Sequence, residues 1–466
     1  MECRLSLVRL SCLALLGAGG IACLPVNSVQ WAREPLPEVA CVVAVDGADA
    51  PVRVTEQSRR ACVAMAEVVE PALPELSLDA LRAGPPSVRP FRADEDVFCR
   101  FVPRPEGQGG SPKFRCLRTD SANRFFDEDG EVVREAVAFD SDDVLLDPSD
   151  RPVLGENGKP LKGDELRVKY FLGTEPEPRF REMFTETVVS HLFWALGIPV
   201  DRVYMPASVR CFGCGPDPFG QLTPDSAPAP TIFQFASVER RYDGKQINVD
   251  RRRGWMGLGG GYGHGFAFGE LEGLRASGTP ERKSEIEAMV VALNIVAYNS
   301  PSSYQNELVC RPGKWDRDTG VCTESVAYVQ DVGGTLGGEK ARSLPGVPPS
   351  TMKNHPRGDW PTFSQDRVFR DAGRCRLLYD IAGVEELSEA GRLAIDRRIR
   401  GRVGLDELLV IFEKARIHRM DSRVTAVVAA QTGLPPGPEL DRAVQRLWAE
   451  TINSRLQEIL DARCPA

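Results

Sequence analysis

The chain has 466 residues, 42% hydrophobic and 27% charged, enough apolar material for one large or two modest cores. Acidic residues outnumber basic ones by 66 to 58, and the net charge of −8 argues against a broad nucleic-acid-binding surface. Like charges never run long enough to form a tail; the three arginines at 251–253 read as a solvated turn.

The first 23 residues, MECRLSLVRLSCLALLGAGGIAC, place Arg4 and Arg9 ahead of an apolar run followed by small residues, the layout of a secretory signal peptide. No other stretch is apolar enough to span a bilayer. A secreted or periplasmic protein is therefore expected. Lipid attachment at Cys23 is the second expectation, with Gly20 standing where a leucine is usual, and it would be the chain's link to a membrane.

Export changes how the remaining cysteines read. Cys41, Cys62, Cys99, Cys116, Cys211, Cys214, Cys310, Cys322, Cys375 and Cys464 form an even set in an oxidising compartment. Spacing does not fix connectivity, but pairing of sequence neighbours is expected, and a bridge from Cys310 to Cys322 would staple a hairpin. Closing so short a loop contributes on the order of 3 kcal/mol. Cys211-Phe-Gly-Cys214 alternatively has the spacing of half a zinc site, without a second half at ligand spacing.

Residues 24–90 are rich in Pro, Ala and Glu around one helical run at 57–69, and read as a cysteine-stapled, partly disordered extension. Residues 91–256 carry short β-type runs at 97–118, 131–146, 165–173, 198–206 and 231–238. In the run at 165–173, alternation puts Leu166, Val168, Tyr170 and Leu172 on one face and Glu165, Arg167, Lys169 and Phe171 on the other. Lys169 either reaches into a cleft or sits on the wet side of a sheet. A helix is expected at 181–197, ended by Gly197 and Pro199, with Glu182 and Glu186 at the margin of its apolar arc. The glycine-rich run at 255–265 lacks a Walker lysine and reads as a connection between two lobes.

A largely buried helix at 284–298 leads into a hairpin, residues 307–310 and 322–330, that delivers Asp331 at its end with Gly333 two positions on. The remainder, 257–466 outside that hairpin, reads as helical, at 368–382, 388–400 with Ser388 as N-cap, 404–416, 419–432 and 438–462. Strands first and helices afterwards describe an α+β protein of two lobes.

Several pieces in this order resemble a group of secreted bacterial proteins of uncharacterised function. They are Lys169 in R-V-K-Y, Glu186 in the helix ending W-A-L-G, G-F-A-F-G-E-L at 265–271, N-x-L-V-C at 306–310, Q-D-V-G at 330–333 and S-E-A-G-R at 388–392. That group in turn resembles the atypical protein-kinase-like fold of the HipA-like and phosphoinositide-kinase-like enzymes, over roughly residues 90–460. The resemblance implies a bilobal fold in which Lys169 holds nucleotide phosphates, Glu186 orients that lysine, and Asp331 binds magnesium. It also exposes a departure. Where related sequences place Asp and, five residues on, Asn or Gln, this chain has Ser300 and Gln305. Serine is no general base at neutral pH, and losing one typically costs roughly a hundred- to ten-thousandfold in rate; Gln305 still offers a carbonyl oxygen to a metal.

Three readings follow from the sequence. The first is a pseudokinase-type module that binds ATP and magnesium, or a protein or small-molecule partner, with little or no transfer activity. The second is an active phosphotransferase whose base comes from Asp316 or Asp318 in the hairpin turn. The third is a secreted interaction domain in which the lysine and the acids are rim salt bridges.

Overall fold

The computed structural model describes residues 40–42, 56–70, 76–86, 91–92, 94–104, 111–171, 181–247, 266, 268–298, 306–316, 319–330, 332–337 and 360–465. The signal segment, Cys23, the glycine-rich run at 255–265, Ser300, Gln305, Asp318 and Asp331 lie outside them. The protein is mixed α+β with a sheet-rich N-terminal region. Its main strands are β1 (Asp96–Val102), β2 (Lys113–Thr119), β3 (Glu165–Phe171), β4 (Arg202–Tyr204), β5 (Ser208–Phe212), β6 (Thr231–Phe233) and β7 (Phe235–Arg240). They form one sheet in the order β6-β5-β1-β2-β3-β7-β4, antiparallel except for the parallel pair of β1 and β5. β3 is therefore interior, held by β2 on one side and β7 on the other.

Alternation in β3 works as the sequence implies. Leu166, Val168 and Tyr170 pack with Phe114, Phe233 and Val238 on one face. The opposite face presents Lys169 and Phe171, and Phe171 joins the main core beside Phe184. Lys169 is 5% exposed, so its face is covered and the wet-side reading does not hold. What covers it is the helix at Glu182–Leu196.

Two short helices precede that one, α1 (Glu56–Met65) and α2 (Leu78–Ala83), so it is numbered α3. Every residue of α3 except Trp194 is buried, which makes it a core helix rather than an amphipathic surface one. Gly197 ends it at φ +68°, a left-handed conformation that glycine takes without strain, and the Gly197 amide returns to the Phe193 and Trp194 carbonyls. Thr185 and Thr187 return their hydroxyls to the carbonyls of Glu182 and Met183, so these β-branched residues leave no buried donor idle.

The extension at 24–90 is less detached than its composition suggests. Cys62, Val63, Ala66 and Val68 enter the main core, and the Glu67 backbone bridges Val326 in the hairpin. That hairpin comprises β8 (Glu307–Cys310) and β9 (Ser325–Tyr328), with Lys245–Gln246 added along the outer edge of β8. Five cysteine pairs lie at disulfide distance: 41–62, 99–116, 211–214, 310–322 and 375–464. The bond between Cys211 and Cys214 removes the zinc alternative, and among the described residues no other group of His, Cys, Asp and Glu could hold a metal ion. Pairing of this kind suits an oxidising, extracytoplasmic setting. No described helix is long and apolar enough to cross a membrane.

In the C-terminal region, α4 (Phe268–Ser277) and α5 (Pro280–Ile295) precede α6 (Glu389–Ile399), α7 (Leu405–Lys414), α8 (Ser422–Thr432) and α9 (Pro438–Asp461). The segment 368–382, expected as a helix, is instead β10 (Phe369–Asp371) and β11 (Arg376–Ile381), followed by β12 (Val384–Glu386). Two local signals and one distant one decide this. Asp371 accepts from the Gly373 and Arg374 amides and turns the chain, and Cys375 takes φ 50° while tied to Cys464. The buried amide of Asn294 on α5 then receives the Tyr379 amide at 2.8 Å and donates to the Tyr379 carbonyl at 3.2 Å, standing in for a strand partner.

The S-E-A-G-R run has a packing explanation. Ser388 caps α6 by accepting from the Gly391 amide, and its hydroxyl donates to Glu287 of α5, which is fully buried. A Cβ at position 391 would collide with the Glu287 side chain, so glycine lets the two helices approach.

Candidate functional site

Lys169 projects from the centre of the sheet onto the first two turns of α3. Its Nζ donates to Glu182 Oε1 at 3.0 Å and to Glu186 Oε1, and lies 3.9 Å from Glu239 Oε2 on β7. All four side chains are at most 7% exposed. The spacing explains the meeting. Residues 182 and 186 are one helical turn apart and share a face, and the α3 N-terminus is the positive end of the helix dipole, which favours carboxylates there. Glu239 sits opposite Arg167 in register, and Arg167 Nη1 binds it at 2.8 Å. Burial works to raise the Glu239 pKa, but the charges of Arg167 and Lys169 hold it below the ordinary glutamate range.

The hairpin ends beside this cluster. Thr185 donates to the Gly333 carbonyl at 2.9 Å, and Gly333 is packed so tightly against Glu182 that any side chain there would collide with it. Asp331 itself is outside the described residues, as are Ser300 and Gln305. Their described flanks are Gln330, whose amide donates to Asn306 Oδ1 at 3.4 Å, and Val332, Tyr298 and Asn306, all three buried. Of the five residues singled out from sequence, the structure thus brings Lys169 and Glu186 into contact and leaves the other three undescribed. Asp316 is exposed and bonds to Thr319 in the hairpin turn. That turn lies past the Cys310–Ser325 end of the ladder, whereas the Glu307–Tyr328 end faces Asn306 and Gln330. Three residue steps separate the ends by roughly 10 Å.

Sequence reasoning missed several members of this region. The connection between β1 and β2 reads R-P-E-G-Q-G-G-S at 104–111. Residues 105–110 are outside the described set, but Ser111 is buried and its hydroxyl donates to Glu182. The available signal was a glycine-rich turn between two β-type runs, one of which pairs with the lysine strand. Asp201, just after α3, gave no signal. It is 3% exposed, and neither carboxylate oxygen has a hydrogen-bond partner among the described residues. Burial, then the charge of Glu239, pushes its pKa well above the usual carboxylate range. The Tyr328 hydroxyl is likewise buried and unpartnered among the described residues, and burial followed by Asp201 raises its pKa.

No protein-family model matches the sequence, and no curated protein matches it. Among solved structures, the chain is similar to the Helicobacter pylori proinflammatory kinase CtkA. The identity is 11%, covering 79% of this chain and 99% of that one, with a TM-score of 0.30. Overlap at that level transfers no residue role, and the chemistry of the site stands on its own geometry. That geometry sets Arg167 and Lys169 among three buried carboxylates, with Lys113 opposite Lys169 in register and its charge also acting on Glu239. Such a cluster fixes the lysine in one position.

Proposed function

We propose that the protein has a bilobal kinase-like fold whose Lys169 pocket binds a nucleotide together with magnesium, and that transfer activity is lost or much reduced. One observation carries the reading. A lysine on an interior strand is buried against a glutamate in the second turn of the helix that follows it, Lys169 on Glu186. A rim salt bridge would be solvated; this one is not, and a purely structural pair so deeply buried is weak as a source of stability.

In this reading Lys169 holds the phosphates, Glu186 orients it, Ser111 joins the cluster through Glu182, and Asp331 and Gln305 hold the metal. Magnesium, when bound, neutralises phosphate charge. Ser300 in the place of a carboxylate supports the loss of transfer, as does the scarcity of ATP outside the cytoplasm.

Thermal denaturation tests the binding. ATP with magnesium is expected to raise the melting temperature by several degrees, ATP with EDTA by much less, and Glu186→Gln to reduce the gain. No shift in a folded wild-type sample removes nucleotide binding. Radiolabelled transfer from ATP, above background and abolished by Asp331→Ala, would overturn the loss of activity.

A further inference from the structure

The turn joining α6 to α7 buries an arginine that no described acid pairs. The Arg402 and Val403 amides both donate to the Ile399 carbonyl at 3.1 Å, and Gly401 takes φ +72°, which carries the Arg402 side chain inward to 8% exposure. Its Nη1 has no hydrogen-bond partner among the described residues. Burial lowers its pKa. The charge it does feel is another arginine, Arg398, whose own pKa is lowered by burial and then by Arg402. Arg398 cannot share a ligand, because it already binds the carbonyls of Leu196, Gly197 and Glu70. A guanidinium held beside a second arginine with no paired acid is unfavourable, and an anion would relieve it.

Arg402 lines a cavity of 370 Å³. Ile399, Val403, Leu456 and Leu460 supply apolar wall, and Asn453 and Gln457 supply amides. Arg400 also lines it, but its guanidinium is held by Asp396, which leaves Arg402 as the guanidinium open to a ligand. α7 begins at the same cavity from Gly404, so the positive end of its dipole adds to the arginine. Glu407 also lines it, with its carboxylate turned back onto the Gly404 amide at 2.9 Å. One guanidinium matches one carboxylate through paired hydrogen bonds, while the nearby Glu407 opposes a multiply charged phosphate. The apolar wall needs a hydrocarbon body.

We infer that this cavity binds a carboxylate carrying a short apolar body, either a free acid or the last residue of a peptide. It is separate from the lysine cluster. Arg398 caps the C-terminal end of α3, and Glu182 and Glu186 lie toward its other end, about 21 and 15 Å away at 1.5 Å per residue.

Isothermal titration calorimetry on the full exported chain tests it, with sodium hexanoate as the free acid and N-acetyl-leucine as the peptide terminus. At least one is expected to bind at millimolar or better affinity, and the tighter identifies the source. Arg402→Met should weaken binding tenfold or more while leaving the ligand-free protein at least as stable as wild type. Asn453→Asp, which adds a negative charge to the lining, should weaken it without touching the guanidinium, and it keeps the test open if the methionine variant does not fold. The inference is overturned if neither probe binds, if both variants bind as wild type does, if inorganic phosphate binds more tightly than either probe, or if a folded Arg402→Met is destabilised without ligand.

Discussion

Lys169→Met separates a buried, position-fixing lysine from a solvated one. Methionine keeps the length and the apolar stem but removes the ammonium that bonds Glu182 and Glu186 and lies 3.9 Å from Glu239. Three carboxylates, each at most 7% exposed, then lose their nearest shared cation. Removing one partner of a buried ion pair costs about 3–5 kcal/mol, against about 0.2–1 kcal/mol for an exposed pair. Set beside a typical folding free energy of about 5–15 kcal/mol, that is a large fraction. Urea denaturation followed by tryptophan fluorescence reads it as a lower midpoint at unchanged slope. The double variant Lys169→Met with Glu186→Gln should recover part of the loss, because one stranded charge goes with it. A loss under 1 kcal/mol at pH 8 would refute the reasoning, since that is about what a rim pair gives.

Asp201→Asn should stabilise the protein at neutral pH. With the folded pKa raised above the unfolded value of 3.8, the native state holds a proton that the unfolded state releases. Stability conferred by Asp201 is thus present below that value and lost as pH rises through the folded pKa, so the asparagine variant should gain at pH 7 and converge with wild type near pH 4. Equal melting temperatures at pH 7 would count against an uncompensated carboxyl. Gly333→Ala should push Glu182 off Lys169 and cost about 1–3 kcal/mol, and on the proposed function it should also abolish the nucleotide-induced thermal shift. Replacing Cys375 and Cys464 by alanine opens a link across 89 residues and should cost about 4–5 kcal/mol in the chain-entropy description, whereas the 12-residue span from Cys310 to Cys322 should cost about 3 kcal/mol. Denaturation midpoints in the opposite order would show that the closed loop length is not what matters.

Local chemistry was legible in the sequence. Strict alternation at 165–171 set the strand and its two faces, Gly197 set the end of α3, Ser388 set the start of α6, and an even set of ten cysteines matched five neighbouring bridges. Each signal is carried by a few adjacent residues, because backbone conformation and capping depend on near neighbours. Tertiary packing decided the rest. Alternation put Lys169 opposite Val168 but could not say that a helix would seal its face. The hairpin at 369–381 depends on Asn294, 85 residues from Tyr379, and no local pattern encodes such a partner. Asp201 and Arg402 became noteworthy only once buried, since an ionisable side chain carries no mark in sequence of whether water or a counter-charge will meet it.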